Sequence, residues 1–472
     1  MSCSRWVTWG SAASLALVTA CHPPATSKPE SAAPGWTPGV VYSTARAPNT
    51  RGLLDRRGLI HAHSVYSHDA CDNKPVDANG NRDQTCFNDF RRDLCTSQHD
   101  FVMLTDHNTA FSTTEYPDSL LYRPDLGDVL VQRNGKPTAS RAGCPDGHSS
   151  LILAGTESNL MPVGLEEHVD ADQTTRSNIY GANTADSANA ERAKGAVVLV
   201  AHTENWTVDQ LTTLPLDGFE MYNVHANTLF TTYGKNAVLT MLGHLYDMDG
   251  GLPNNPNIVF LSIFWEDPRY IDTWGTVLSK GFKRVTTMGS DCHRNALPQL
   301  LSDGERIDSY RRVMGWFSNH LLVKPNADGA YDDLNLKEAL RSGRLYGAFE
   351  VMGFPVGFDY RAEANGTVSE MGQEVSLADA PVLRVAKPSV QNLDKAATPP
   401  ALTMRILRAV DNGFEEVAKG DGDLSFTPTL PGAYRAEVRI VPLHLRQEMG
   451  VVADEWLAHD YVWIYGNPIY VK

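Results

Sequence analysis

Histidine and carboxylate residues recur along this chain at spacings that suit divalent-cation chemistry. The run from Gly58 to Asp69 holds His61 and His63, then His68 and Asp69. On a strand, residues i and i+2 point to one face, so His61 and His63 can clamp a cation from a single strand end. Four further groups follow: Asp106, His107 and Asn108; Glu157 after Gly155; His202 after Ala201; and Asp291, Cys292 and His293 after Gly289. Borderline cations such as Zn²⁺ take imidazole nitrogen and carboxylate oxygen, and a carboxylate can bridge two of them. Two or three adjacent cations acidify a bridging water and clamp the oxygens of a displacement. Any one of these histidines alone reads as an ordinary core or surface residue. Five separate strand ends, each delivering a ligand type, are far harder to obtain by accident.

The elements that must position these groups are short and apolar. Runs at 101–104, 151–154, 196–200 and 218–222 are β-branched or aromatic, as expected of buried parallel strands, and polar residues follow each at once. That is the pattern of a β/α barrel with its site at the strand C-termini. Residues 335–345 predict a helix ending in a glycine, with Leu336, Ala339 and Leu340 on one face. Residues 72–95 and 109–150 read as long insertions at barrel loops. After about 355 the pattern changes to period two, at 382–385, 403–407 and 434–440, with Gly, Pro and Asp between. This predicts an antiparallel β-sandwich.

Composition sets the outer bounds. At roughly 150 residues per domain, 472 residues make two or three domains, or one barrel plus an appendage. With 42% hydrophobic and 21% charged residues the chain can bury a full core. A net charge of −15 argues against a general nucleic-acid binder. The strongly apolar stretch lies at the N-terminus, which excludes a polytopic membrane protein.

That stretch has Arg5, then an apolar run through Leu15 and Leu17, too short for a bilayer and suited to a secretory leader over 1–20. Its end, Val18 to Cys21, resembles a bacterial lipoprotein lipobox, which implies that Cys21 is lipidated and that the protein is exported and membrane-anchored by that lipid alone, in the periplasm or at the cell surface. An ordinary signal peptide containing a cysteine is the alternative. Residues 21–51, with five prolines from Pro23 to Pro38, read as a flexible tether. In an oxidising compartment Cys71, Cys86, Cys95 and Cys144 are disulfide candidates, with three connectivities open. Cys292 is left over and reads as a packed, inert thiol.

The order H-x-H-S-x-x-S-x-D, T-D-H-N, G-x-E, A-H and G-S-D-x-H resembles the PHP (polymerase and histidinol phosphatase) superfamily over about residues 52–350. The resemblance implies a distorted seven-stranded (β/α) barrel over 52–354, an α/β fold followed here by an all-β sandwich over 355–472. It also implies two or three divalent metal ions, Zn, Mn or Fe. His61, His63, Glu157 and Asp291 would surround one, with Glu157 bridging. His107 and His293 would hold a second with Asp69, or with His68 in reserve. His202 and His168 would hold a third. His202 is followed by Thr203 where relatives often have proline, which bears on loop geometry. Asp291, His293 and Glu157 would then be the catalytic residues, and the expected reaction is hydrolysis of a small anionic substrate, a phosphoester first. The terminal run Asn467-Pro468-Ile469-Tyr470 resembles the carbaryl-hydrolase-like branch, which implies carboxyl ester or carbamate hydrolysis as the alternative.

Around these, Asp106, Asn108, Glu220 and Asn223 are candidates to orient ligands or substrate. His225 is either a leaving-group contact or an exposed loop histidine. Arg294 is either a contact to an anionic substrate oxygen or a rim salt bridge. The segment from Asp77 to Asp83 hints at a calcium loop, but Arg82 stands where the turn glycine belongs. An amidohydrolase-type barrel also begins with H-x-H, but expects a bridging lysine and a lone final aspartate. A glycan- or partner-binding lipoprotein with a non-catalytic barrel would be expected to carry a degraded ligand set.

Overall fold

The buried apolar runs become strands. Leu54–Ala62 (β1), Phe101–Met103 (β2), Ser149–Gly155 (β3), Met161–Leu165 (β4), Val197–Leu199 (β5), Gly218–Asn223 (β6) and Val285–Cys292 (β7) are buried along nearly their whole lengths. These assignments come from a computed structural model that describes residues 35–46, 50–228, 231–232, 235–246 and 251–472, with backbone alone for 231, 232 and 235. The leader over 1–20, Cys21 and the proline-rich run to 34 lie outside the described residues.

β1 is flanked by two parallel neighbours, with Leu59 opposite Val102 of β2 and Ile60 opposite Gly289 of β7. β3 continues the parallel series beside β2, and β6 lies parallel to β7. β4 breaks the expectation of parallel strands, running antiparallel to both β3 and β5. For the β3–β4 pair the reason is connection length. Five residues separate Gly155 from Met161, and a parallel return needs a crossover of about a dozen or more. Backbone bonds from Asp217 to Val198 and from Val200 to Gly218 then carry β5 to β6. The result is a mixed α/β body whose ligand-bearing residues leave neighbouring strand ends.

On the other side of β1, Ser318–Val323 (β8) pairs antiparallel, and Leu345–Ala348 (β9) follows it. Pro268–Ser279 forms a helix, and so does Tyr310–Met314. The helix predicted at 335–345 is Asp333–Arg341, started by Asp332, whose carboxylate accepts from the N–H groups of Leu334 and Asn335. Leu345 already belongs to β9.

The period-two runs are strands Val382–Ala386, Ala401–Val410 and Gly432–Val441. They divide between two sheets. One has four strands built on Asp359–Ala364 and Val382–Ala386, while the other includes Ala401–Val410, Gly432–Val441 and Tyr461–Gly466. The second pairs with β9, Tyr346 opposite Gly466, so the large sheet continues across the boundary expected at 354. Asn467 adds a cross-link: its side chain accepts from the backbone N–H of Thr286 on β7 and donates to the same residue's carbonyl.

One expectation is corrected. Residues 36–46 are no free tether: Trp36 and Tyr42 are buried, and the Thr44 hydroxyl donates to Asp100. Aromatic residues carry apolar area that favours such packing. The insertion over 72–95 is ordered by a thirteen-residue helix, Gln84–Thr96, and by two disulfides, Cys71–Cys86 and Cys95–Cys144, which resolve the three connectivities. The segment from Asp77 to Asp83 is an Asp-capped turn, with Asp77 accepting from the N–H groups of Asn79 and Asn81. Among the described residues no helix is long and apolar enough to cross a membrane.

Candidate metal centre

The strand ends bring eight of the nine expected ligands together. His61, Glu157, His202 and Asp291 form one group whose donor atoms lie within 4.8 Å of one another, and His63, Asp69, His107 and His293 form a second. The partition differs from the one the resemblance implied, because His202 sits with the first group and His63 with the second. Two acids tie the groups together. Glu157 Oε2 lies 3.3 Å from His61 Nε2, 3.2 Å from His63 Nε2 and 3.5 Å from His107 Nδ1, while Oε1 lies 3.1 Å from His202 Nε2. Asp291 Oδ1 is 3.1 Å from His61 Nε2 and 3.2 Å from His63 Nε2, and Oδ2 is 3.2 Å from His202 Nε2.

His61 and His63 converge, but not by plain strand alternation. The pairing with β7 shifts register between Ile60 and Ala62, and His61 has φ +81°. His202 and Asp291 are also left-handed, both at φ +50°. Such conformations cost about 1–3 kcal/mol each in non-glycine residues and persist where surrounding contacts over-determine them. Three of the four residues in the first group carry that cost.

The supporting contacts leave the inner nitrogens bare. Glu220 Oε1 is 2.6 Å from His61 Nδ1, and its Oε2 accepts from the His202 backbone N–H at 2.9 Å and from Asn223 Nδ2 at 3.0 Å. Gly289 is required beside it, since a Cβ there would lie 1.8 Å from Glu220 Oε1. Ser67 Oγ holds His63 Nδ1 at 3.2 Å, and the Asp291 carbonyl holds His293 Nδ1 at 2.8 Å. On the opposite edges, buried His61 Nε2, His63 Nε2, His293 Nε2 and both Asp291 oxygens make no hydrogen bond of acceptable geometry. Buried polar atoms are rarely left so, and a metal-ligating histidine characteristically donates its other N–H to a carboxylate or carbonyl. The donor set therefore fits divalent cations. The fields agree: although burial opposes ionisation, His61 and His202 hold Glu157 well below the ordinary carboxylate range, and His225 and His61 do the same for Asp291. Burial likewise opposes charge on His63, but Asp291 and Glu157 outweigh it and push that histidine up to about 9.

The remaining expected residues divide. Asp69, not His68, faces the centre, with Oδ2 3.2 Å from His107 Nε2 and 3.1 Å from His293 Nε2. His68 is exposed beside Thr109. His225 is half-exposed, its Nδ1 2.8 Å from Asp291 Oδ2, and the structure groups it with Asp291 and His293. Asn223 caps the short helix Val224–Thr228, accepting from the N–H groups of His225 and Ala226. Asp106 accepts from the Ser64 N–H and hydroxyl, fixing the turn after His63.

One assignment is corrected. His168 is no ligand: its Nε2 bonds the Thr114 carbonyl at 2.9 Å and its Nδ1 the Tyr180 hydroxyl at 3.1 Å, which leaves no lone pair for a cation. Asn108 donates through Nδ2 to the Ser177 carbonyl, and its buried Oδ1 has no partner. Arg294 pairs with Asp89 at 3.3 Å, the rim salt bridge of the two alternatives. Cys292 is buried and unbridged, and burial pushes its thiol up to about 12.

The sequence reading passed over three supports. Glu204 Oε1 lies 3.4 Å from His202 Nδ1 while its other oxygen accepts from the Tyr270 hydroxyl. Tyr310 donates to the carbonyls of both His63 and His293, at 3.1 and 3.2 Å. Glu204 was signalled by its place two residues after His202. Tyr270 and Tyr310 lie remote in sequence and carried no local sign.

No protein-family model and no curated protein matches the chain. A solved structure from Bacteroides vulgatus, a two-domain protein containing a predicted PHP-like metal-dependent phosphoesterase, aligns over 84% of this chain and 94% of that one, at 12% identity and a TM-score of 0.29. A likeness at that score does not establish a shared fold.

Proposed function

We propose that this chain is a metal-dependent hydrolase of the PHP type, exported and anchored through lipidated Cys21, that acts on a small anionic ester, a phosphoester first. In this reading residues 52–354 form the distorted seven-stranded barrel and 355–472 the sandwich that buttresses it. One observation carries the proposal: two four-residue candidate ligand groups meet at the acids Glu157 and Asp291, and the buried Nε2 atoms of His61, His63 and His293 and both Asp291 oxygens lack hydrogen-bond partners.

When bound, divalent cations at these groups would supply an activated water and neutralise developing charge on the substrate. The chain's own part is positioning. Glu220 sets the direction of the His61 ring and pins the left-handed turn at His202. Glu204 and Tyr270 hold the other side of the His202 ring. Half-exposed His225, in contact with Asp291, is the candidate to meet the leaving group.

A second reading, hydrolysis of a carboxyl ester or carbamate, is favoured by one contact. Arg294, the cation expected to grip an anionic substrate oxygen, is engaged by Asp89. A screen of the Zn²⁺- and Mn²⁺-loaded protein over phosphomonoesters, phosphodiesters, carboxyl esters and carbamates separates the two. Turnover of carbamates or carboxyl esters alone would replace the phosphoester reading. Unchanged metal content and hydrolysis in both His61→Ala and Asp291→Ala would remove the enzymatic reading altogether.

A further inference from the structure

The two ligand groups are built differently. The first is braced by carboxylates, Glu220 and Glu204, and by strand pairing. The second depends on Asp69, which leaves the strand and lies on a loop. That loop has an unusual backbone: Cys71, Asp72 and Asn73 follow one another at φ +57°, +58° and +58°. Consecutive left-handed non-glycine residues are each unfavourable by about 1–2 kcal/mol, so external contacts must hold this run in place.

Several of those contacts lead directly to the second group or to its neighbours. The N–H of Cys71 donates to the His293 carbonyl at 3.1 Å, and that of Asp72 to the Arg294 carbonyl at 3.0 Å. Asn295 Nδ2 donates to the Asp69 carbonyl at 2.9 Å, and Arg306 grips the Asp72 carboxylate through two nitrogens at 2.7 and 2.9 Å. Ser67 Oγ donates to Asp69 Oδ1 at 2.9 Å while holding His63 Nδ1. The Cys71–Cys86 disulfide then ties the run to the helix Gln84–Thr96. Phe90 of that helix packs edge-on against Tyr310, the residue that binds the His63 and His293 carbonyls.

We propose that the Cys71–Cys86 disulfide and Ser67 are positioning elements for Asp69, so that the cation subsite of His63, Asp69, His107 and His293 is complete only when that bridge is formed. The subsite of His61, Glu157, His202 and Asp291 does not need it. The proposal rests on the metal-dependent reading above. The other disulfide, Cys95–Cys144, sits at the far end of the same helix and supplies a matched control.

The test loads the full chain with Zn²⁺ alone and measures equivalents retained by elemental analysis, with affinities from competition against a chromophoric chelator. Two equivalents are expected for the parent protein and for Cys95→Ser/Cys144→Ser. Cys71→Ser/Cys86→Ser is expected to keep one tight equivalent and to weaken the other by roughly 10–100-fold. Ser67→Ala, which spares both bridges, is expected to weaken the same equivalent, with Ser67→Thr restoring it. Two equal, unweakened equivalents in Cys71→Ser/Cys86→Ser would overturn the proposal, as would equal losses in the two cysteine pairs. Should that double variant fail to fold, undiminished binding by Ser67→Ala overturns it instead. A parent protein that retains no Zn²⁺ would sink the metal-dependent reading itself, a distinguishable result.

Discussion

Two buried clusters of histidine and carboxylate lie at opposite ends of β1, and they are opposites in design. His61 stands at one end. Asp55 stands six residues earlier, about 20 Å away at strand rise. Around Asp55 every charge is closed: its Oδ1 lies 2.9 Å from His320 Nδ1, and its Oδ2 accepts from the Tyr346 hydroxyl at 2.7 Å. His320 Nε2 lies 3.2 Å from Glu350 Oε1, and Arg57 donates through two nitrogens to the same carboxylate. Ser318 and the Ser97 carbonyl complete the set. No residue of this cluster has left-handed φ. At the other end, several inner atoms lack a hydrogen bond and three candidate ligands have left-handed φ. Residue types alone do not separate a structural cluster from a functional one. Satisfaction and strain do.

The comparison predicts opposite responses to mutation. The largest effect is on chemistry: Asp291→Ala should lower hydrolysis by about three orders of magnitude and reduce bound metal, with little loss of folding stability in the metal-free protein. If metal-free Asp291→Ala lost as much stability as a variant of the Asp55 cluster, the contrast would collapse. Next comes Glu350→Ala, which leaves Arg57 buried and unpaired. Denaturant unfolding should show a loss of about 3–5 kcal/mol, while the surviving folded protein binds metal normally.

Part of the pH dependence of stability comes from the closed cluster. Burial opposes charge on His320, but Asp55 and Glu350 outweigh it and push its pKa up to about 9. A raised histidine stabilises the fold fully below its unfolded value near 6.5, and that stability is lost as pH rises through about 9. Burial also opposes charge on Glu350, but Arg57 and His320 hold it down at about 2. Its contribution is present above about 4.5 and is lost as pH falls through about 2. Stability of the metal-free protein should decline between pH 6.5 and 9.5, through His63 as well as His320, and decline less steeply in His320→Gln; equal slopes would assign the whole decline elsewhere. The smallest effect is expected for His168→Ala. It should leave zinc stoichiometry unchanged and cost about 1–3 kcal/mol through the lost contacts of a buried ring. A missing zinc equivalent would restore that residue as a ligand.

Much of the site was legible because metal chemistry is written in residue type and local spacing. H-x-H, the acid before His107 and D-x-H each lie within a few residues, and each sits at the end of an apolar run that had to be buried. Period-two alternation was equally local, and it marked the strands beyond 355. Less was legible wherever partners come from distant segments. His168 had the right residue type in a plausible place, but Thr114 and Tyr180 claim both of its nitrogens. Asp89 claims Arg294 in the same way.

By itself, then, the sequence determined which donor atoms exist and that strand ends would carry them, since side-chain chemistry and strand periodicity are properties of a few adjacent residues. Tertiary structure decided how those donors divide: His202 with His61, His63 with Asp69, one disulfide beside the second group, and, among the described residues, a strand-pairing network that runs on past residue 354. The physical reason is that a bare nitrogen or a satisfied one depends on the whole shell around it. That shell is assembled from residues hundreds of positions apart, as Glu220 on His61 and Tyr310 on His63 show.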